Sequence, residues 1–395
     1  MDSVKTEKIT IWGVVQGVGF RPFAAKLADA FGMKGEIRNR CGLVEIMVTD
    51  RPQRIGKFLD ALRRGKPAPA EIVRIDREAV ARRDFEGFLI LESGESGEPP
   101  MMLPADLAVC DDCLAEMDDP ENPRYMHPFI SCVACGPRYT IMDDVPYDRG
   151  NTSMADFDMC PFCAEEYADR ENRRYHAQTV SCHRCGPVAV FEENGNFSGG
   201  SSVSPEAPLL SDRERDAVAP LLPAVREIAK GGVVALKGAG GYYFVCSPFL
   251  EEAALRLREI KARDKKPFAV MFPDLETVKV FCCAGPEEET LLTSGARPIV
   301  LLERRAAATS PAARVADEKR GLSKYGRRIS QETCGNSRCI GAFLPGMGLQ
   351  RILTAHLGPL IMTSANLSGL PMIKDDDEMR RALKRQPLLS GMLYN

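Results

Sequence analysis

The sequence predicts a multidomain chain mixing α/β and α+β architecture around a small metal-dependent module, and three observations predict it. The chain has 395 residues, 44% hydrophobic and 27% charged, enough apolar material for two to four cores. Polar Gly/Ser/Pro runs at 93–100 (SGESGEPP) and 194–208 (NGNFSGGSSVSPEAP) break it into segments. Eight of its 14 cysteines fall between 110 and 185 in four C-x-x-C pairs, and strand and helix patterns alternate on either side of them. The breaks predict domains at 1–93, 101–192 and 212–390, with a third polar stretch, 304–330, as a mobile insert in the last. A net charge of −3 gives no general pull toward nucleic acid or an anionic membrane. No run approaches the ~18 consecutive apolar residues of a membrane span, and the opening MDSVKTEKIT lacks the apolar core of a signal peptide. The cytoplasm is the expected compartment.

The first segment reads in order as strand, helix, strand, strand, helix, strand. KITIWGVV (8–15) alternates as a strand. Phe20, Phe23, Ala24, Leu27 and Phe31 then recur at helical spacing. GEIRN and LVEIMVTD are strands, and Ile55, Phe58, Leu59 and Leu62 form a helix face before IVRIDREAV and FLILES. This βαββαβ order is that of a ferredoxin-like domain. At the first strand-to-helix transition stands VVQGVGFRPF (14–23). Its glycines let backbone amides converge at a helix start, so Gln16, Gly17, Val18, Gly19 and Phe20 are candidate phosphate-binding positions. Arg21 adds a guanidinium whose planar fork suits phosphoryl oxygens. A Gly-rich turn before a helix is weak evidence by itself.

The middle segment is a tandem repeat. Cys110, Cys113, Glu116, Arg124, Tyr125, Ser131, Cys132, Cys135, Gly136 and Pro137 return 50 residues later as Cys160, Cys163, Glu166, Arg174, Tyr175, Ser181, Cys182, Cys185, Gly186 and Pro187. Each unit is C-x2-C-x18-C-x2-C, a spacing that aims four thiolates at one ion and closes its shell. Two structural Zn²⁺ ions are expected, with an iron–sulfur or redox site as the competing reading. Histidine is not expected among the ligands, because His127 aligns with Ala177 and His176 with Met126. Arg138 and Arg184 are near enough in sequence to offset part of the thiolate charge. The remaining cysteines, Cys41, Cys246, Cys282, Cys283, Cys334 and Cys339, read as ordinary buried thiols.

In the last segment GVVALKG, FAVMF, RPIVLLE and PLIMTS read as strands between helices EEAALRLREIKARD, PEEETLLTS and LQRILTAHL, a mixed α/β pattern. Lys237 ends an apolar run, Lys261, Arg263 and Lys266 cluster in KARDKKPFAVM, and Ser364 and Asn366 follow a strand in TSANLSGLP. Cations beside a glycine-rich strand end suit a triphosphate. On spacing alone a solvated basic helix end fits them slightly better.

Three resemblances sharpen these readings. V-Q-G-V-G-F-R-x-F followed by N-R-x-G-x-V-E-I resembles acylphosphatase, which implies that Arg21 binds the acyl phosphate and Asn39 holds the attacking water. K-x-R-x-x-K-P-F-A-V-M and T-S-A-N-x-S-G-x-P resemble the YrdC-type domain, which builds acyl-adenylates from ATP with Mg²⁺. That likeness implies Lys237, Lys261, Arg263, Lys266, Ser364 and Asn366 as nucleotide-site residues. The order acylphosphatase-like, paired four-cysteine, YrdC-like, with R-Y-M-H-P-F-x-x-C-x-x-C-G-P-R-Y between, resembles the HypF family of carbamoyltransferases in nickel–iron hydrogenase maturation. It implies hydrolysis of carbamoyl phosphate, activation of the carbamate as carbamoyl-AMP, and transfer to the C-terminal cysteine of a HypE-like acceptor.

That family continues into a transferase domain, whereas this sequence stops at SGMLYN. A truncated chain, a split gene whose C-terminal transferase is a separate polypeptide, or a decayed copy is therefore expected. GAFLPGMGLQRIL also departs from the family's P-Y-T-P-L-H run. Rival readings are a synthase of threonylcarbamoyl-AMP for tRNA, an inactive scaffold, and a zinc-finger nucleic-acid binder. Acidic DDPEN and CAEEYADRE interrupt the basic residues and argue against the last.

Overall fold

The computed structural model describes residues 3–40, 42–93, 102–195, 217–305, 328–367 and 369–395. Most of the polar runs at 93–100 and 194–208, most of the 304–330 insert, and Cys41 lie outside the described residues. The chain divides into two compact units, one formed by Met1–Cys110 with Ser131–Gly186, the other by Asp111–Ile130 with Pro187–Asn395.

In the first unit the elements run β1 (Lys5–Val14), α1 (Phe20–Ala30), β2 (Gly35–Arg40), β3 (Leu43–Asp50), α2 (Pro52–Gly65), β4 (Glu71–Val80) and β5 (Phe88–Ile90). The sheet order is β4-β1-β3-β2-β5, antiparallel except for the parallel β2–β5 edge. This is the split βαβ arrangement, as the periodicity predicts. Strand alternation puts Ile9, Ile11, Ile37, Ile46 and Val48 on one face of the sheet, where they pack with Phe20, Ala24, Phe58 and Leu62 of the two helices. Each fully buried large side chain there contributes roughly 1.5–3 kcal/mol. Charged residues take part of the opposite face, where the buried Glu45 carboxylate accepts from Arg38 and Arg40 and pairs with Lys8. Burial raises the Glu45 pKa, but these cations outweigh it and the net shift is downward.

The two repeats take the same local fold. Short helices follow the first C-x-x-C of each, α3 (Asp111–Asp118) and α4 (Pro161–Ala168). The chain then turns through a left-handed residue, Met126 at φ 53° and His176 at φ 54°. Their backbone N–H groups donate to equivalent carbonyls, Met117 at 2.9 Å and Tyr167 at 3.0 Å.

The second unit holds a nine-stranded mixed sheet, ordered β10-β11-β12-β9-β13-β8-β7-β14-β6. Its strands are β6 (Val190–Glu193), β7 (Val233–Gly238), β8 (Gly241–Cys246), β9 (Ala269–Met271), β10 (Cys282–Cys283), β11 (Val300–Arg304), β12 (Cys339–Phe343), β13 (Leu360–Ser364) and β14 (Leu389–Tyr394). The mixed α/β pattern of the last segment is thus realised, with more strands than periodicity alone marked. Cys246, Cys282 and Cys334 are buried as expected, whereas Cys339 is half-buried and Cys283 is exposed because strand alternation on β10 turns it to the face opposite Cys282.

Candidate functional site

The first candidate site forms where β1 runs into α1. Gly17 (φ 68°) and Gly19 (φ 72°) both occupy the left-handed region, which side chains with a Cβ rarely adopt. At Gly17 a Cβ would also meet Pro104, Arg138 and Tyr147 at 3.0–3.2 Å. Gly19 is the N-cap of α1 and offers no side chain to the first-turn amides, so the positive end of the helix stays open to an anion. Val18 and Phe20 bury their side chains in the core and can contribute only backbone. Gln16 is consumed structurally. Its Nε2 donates to the Leu43 carbonyl at 2.8 Å, and its Oε1 accepts from the Tyr147 amide at 3.1 Å.

Arg21 lies in the first turn of α1 and is buried. Its Nη2 donates to Asp148 Oδ1 at 2.5 Å, and its Nη1 lies 3.5 Å from Ser93 Oγ. Ser93 donates in turn to Asp148 Oδ2. Asn39 shares the core-facing register of Ile37 on β2 and is 0% exposed. Neither its Nδ2 nor its Oδ1 has a partner among the described residues, a costly arrangement for a buried amide. A cleft is lined by Gln16, Gly17, Arg21, Arg138, Tyr147 and His176, among others. Burial, reinforced by the Arg21 charge, pulls His176 down to about 4, so its imidazole is neutral at physiological pH.

Asp148, His176, Ser93 and Tyr147 are the residues that sequence reading missed here. They are far from the glycine turn in the chain and carry no local motif. A usable signal did exist for His176: the two repeats differ there, His176 against Met126, as they do at Arg173 against Pro123.

The eight predicted cysteines form two groups, Cys110, Cys113, Cys132, Cys135 and Cys160, Cys163, Cys182, Cys185. Within each group the four sulfurs lie within 4.8 Å of one another. Contacts at 3.7 Å (Cys110–Cys132, Cys132–Cys135, Cys160–Cys182) and 3.8 Å (Cys182–Cys185) match the edge of about 3.8 Å of a tetrahedron with zinc–sulfur bonds of ~2.3 Å. That fits one ion per group and leaves no room for a multi-iron cluster. The residues present therefore fit two structural zinc ions with closed thiolate shells.

The charge compensation differs from the sequence expectation. Arg138 turns away from the sulfurs. It donates from Nε to the Gly17 carbonyl, and to the carbonyls of Pro137 (2.8 Å), Cys132 (3.2 Å) and Val133 (3.1 Å). Arg184 is exposed. Arg173, from the second repeat, instead donates to Cys110 Sγ (3.2 Å) and Cys132 Sγ (3.3 Å) of the first group. Sequence proximity to a cysteine failed as a guide because backbone carbonyls compete for the guanidinium.

In the second unit, Lys261, Ser364 and Asn366 meet. Lys261 Nζ donates to the Ser364 carbonyl (2.5 Å), the Asn366 carbonyl (3.0 Å) and Asn366 Oδ1 (2.8 Å), and Ser364 Oγ lies 2.8 Å from the same oxygen. Burial, with Arg263 and Lys266 adding like charge, lowers Lys261 to about 8. Lys237 pairs with Asp376 at 2.5 Å, and Tyr242 donates to the same carboxylate oxygen at 2.9 Å. Lys261 lies over Phe244, two residues from Tyr242, so both lysines occupy the same face of β8. Arg263 bonds the carbonyls of Lys266 and Pro267 and covers Phe268, while Lys266 is exposed. These two do not join the Lys261 cluster by hydrogen bonds.

Comparison with known proteins agrees with this organisation. Family models match acylphosphatase at 7–90, HypF finger at 109–142 and 159–191, and Sua5/YciO/YrdC (telomere recombination) at 226–390. A Vibrio parahaemolyticus acylphosphatase is 36% identical over 90 residues, covering 22% of this chain and 99% of that one, so the first domain belongs to the acylphosphatase family. A probable carbamoyltransferase HypF of Methanocaldococcus jannaschii is 39% identical over 382 residues, 95% of this chain and 45% of the relative. The crystal structure of a full-length HypF in the phosphate- and nucleotide-bound form superposes with a TM-score of 0.83 at 33% identity, over 100% of this chain and 47% of that one. The chain thus spans about half the length of the HypF proteins it matches. By its finger repeats, the order of its three matched domains and its fold, this chain is a homologue of about half the length of the HypF proteins.

Proposed function

We propose that this chain carries out the first steps of carbamoyl transfer in hydrogenase maturation. At the glycine turn, water cleaves carbamoyl phosphate to carbamate and inorganic phosphate. In the second unit, carbamate attacks the α-phosphorus of ATP, assisted by Mg²⁺, giving carbamoyl-AMP and pyrophosphate. A HypE-like acceptor receives the carbamoyl group on its C-terminal cysteine, with a separate transferase polypeptide contributing the transfer step. The setting proposed is the cytoplasm; no helix among the described residues is long and apolar enough to cross a membrane.

The observation that carries this reading is the pairing of a buried Arg21 at an uncapped helix start with a fully buried, unpartnered Asn39 amide. Arg21, with the amides of residues 16–20, would neutralise charge building on the phosphoryl oxygens, and Asn39 would hold the attacking water. Such fixed donors need no covalent intermediate. Lys237, Lys261, Arg263, Lys266, Ser364 and Asn366 are proposed for the nucleotide, with Lys261 acting through the Ser364–Asn366 turn that it pins. The zinc ions, when bound, supply structural closure of the two knuckles and take no part in the reaction.

The test is mass-spectrometric detection of carbamoyl-AMP after the chain is given ATP, Mg²⁺ and carbamoyl phosphate. Arg21→Ala and Asn39→Ala should each abolish phosphate release. Adenylate formation that depended on threonine and bicarbonate instead would overturn the reading.

A further inference from the structure

An arginine that must present a fork to a phosphoryl group begins with a long, rotamer-rich side chain, and something has to fix it. Here that partner comes from the segment between the two cysteine repeats. Asp148 Oδ1 accepts from Arg21 Nη2 at 2.5 Å, and Asp148 Oδ2 accepts from Ser93. Both carboxylate oxygens are thus engaged, and among the described residues Arg21 Nε has no partner, which leaves that edge of the guanidinium for a ligand.

The carboxylate is itself anchored on both sides. The Tyr147 amide before it donates to Gln16 Oε1 at 3.1 Å. The Arg149 amide after it donates to Gln178 Oε1 at 2.8 Å, and the Arg149 guanidinium bonds the carbonyls of Gln178 (2.8 Å), Val180 (3.0 Å) and Phe157 (2.7 Å). A group held at two flanks and by a serine is a fixed strut. A displaceable plug in the anion's place would need room to swing away, and these anchors deny it. The charge balance agrees: Asp148 offsets Arg21, His176 faces the cleft as a neutral ring, and Arg138 adds one positive charge to the lining.

We propose that Asp148 is a positioning residue of the acyl-phosphate site, aiming Arg21 from the finger segment with Ser93 as its clamp. The inference rests on the acyl-phosphate reading above and adds a residue outside the acylphosphatase domain to that site.

The test uses the intact zinc-loaded chain, with carbamoyl phosphate hydrolysis followed at steady state and inorganic phosphate binding followed by calorimetry. Asp148→Asn should lower kcat about tenfold or more, since misplacing a catalytic group by an ångström costs up to ~100-fold. KM should stay level or fall, because a negative charge has left the neighbourhood of the anion. Asp148→Glu should recover part of the lost kcat. Should Asp148→Asn disturb zinc content or folding, Ser93→Ala removes only the clamp and should still lower kcat with KM unmoved. An Asp148→Asn chain with wild-type kcat, or with raised kcat and tighter phosphate binding as a plug would give, overturns the proposal while Arg21→Ala stays inactive. A wild-type chain that neither hydrolyses carbamoyl phosphate nor binds inorganic phosphate overturns the acyl-phosphate reading and this inference together.

Discussion

Arg138 joins the phosphate loop to the first cysteine knuckle, and replacing it by methionine measures that joint. The guanidinium is 2% exposed and donates to four carbonyls. Two of these would keep another donor: the Pro137 carbonyl has the Tyr147 hydroxyl at 3.4 Å, and the Cys132 carbonyl has the Cys135 amide at 3.4 Å. The Gly17 and Val133 carbonyls would be left with no other donor among the described residues. At ~1–3 kcal/mol for each stranded group, partly relieved because neither residue is fully buried, Arg138→Met should cost about 3 kcal/mol. The assay is urea unfolding of the zinc-loaded chain followed by fluorescence. Trp12, on β1 of the same unit, is the sole tryptophan and reports on it alone. Arg138→Lys, which keeps the charge and some of the donors, should fall between the two. A change under ~1 kcal/mol in Arg138→Met at unchanged zinc content would refute the reasoning, since it would mean that water satisfies those carbonyls equally well.

Two further outcomes are expected. Arg173→Met removes the donors to Cys110 and Cys132 of the first group, so chelator-driven zinc release should acquire one fast phase of two; equal acceleration of both phases would contradict it. His176 has its ordinary value of 6.5 in the unfolded chain and about 4 in the folded one, so the unfolded state takes up a proton first on acidification. The stability it confers is complete above pH 6.5 and lost as pH falls toward 4, by at most about 2 kcal/mol at pH 5. His176→Gln should accordingly show a shallower acid loss in thermal melts than the wild type, and superimposable pH dependences would rule the assignment out.

The sequence made some of this legible and hid the rest for physical reasons. Strand and helix periodicity marked β1 to β4 and both helices of the first unit, most clearly in β1 and β2, where buried and less buried positions alternate. It did not resolve β8 from the run before it, nor did it mark β12 and β14. Side chains on both faces of these interior strands are buried, so β14 reads as five buried positions in a row and β12 as three, with no alternation. The eight thiols were legible through their repeated spacing, and Arg21 through the glycine turn beside it. Asp148 was not, because its importance lies in a contact made across 127 residues of chain. The sequence pointed to Arg138 as a charge beside the metal, whereas carbonyls claim it, and Arg173 takes that place from the other repeat.

The repeats began as copies but are no longer interchangeable. Arg174 donates to the Ser131 carbonyl, Ser131 to Thr179, and Arg173 spans to sulfurs that its own half does not own. A chain shortened by either half would therefore forfeit part of the other: without the second, the first knuckle keeps its thiolates but loses the guanidinium against them. Duplication has ended in mutual dependence, and grafting a single copy onto another scaffold should carry over the ion's cage without its electrostatic counterweight.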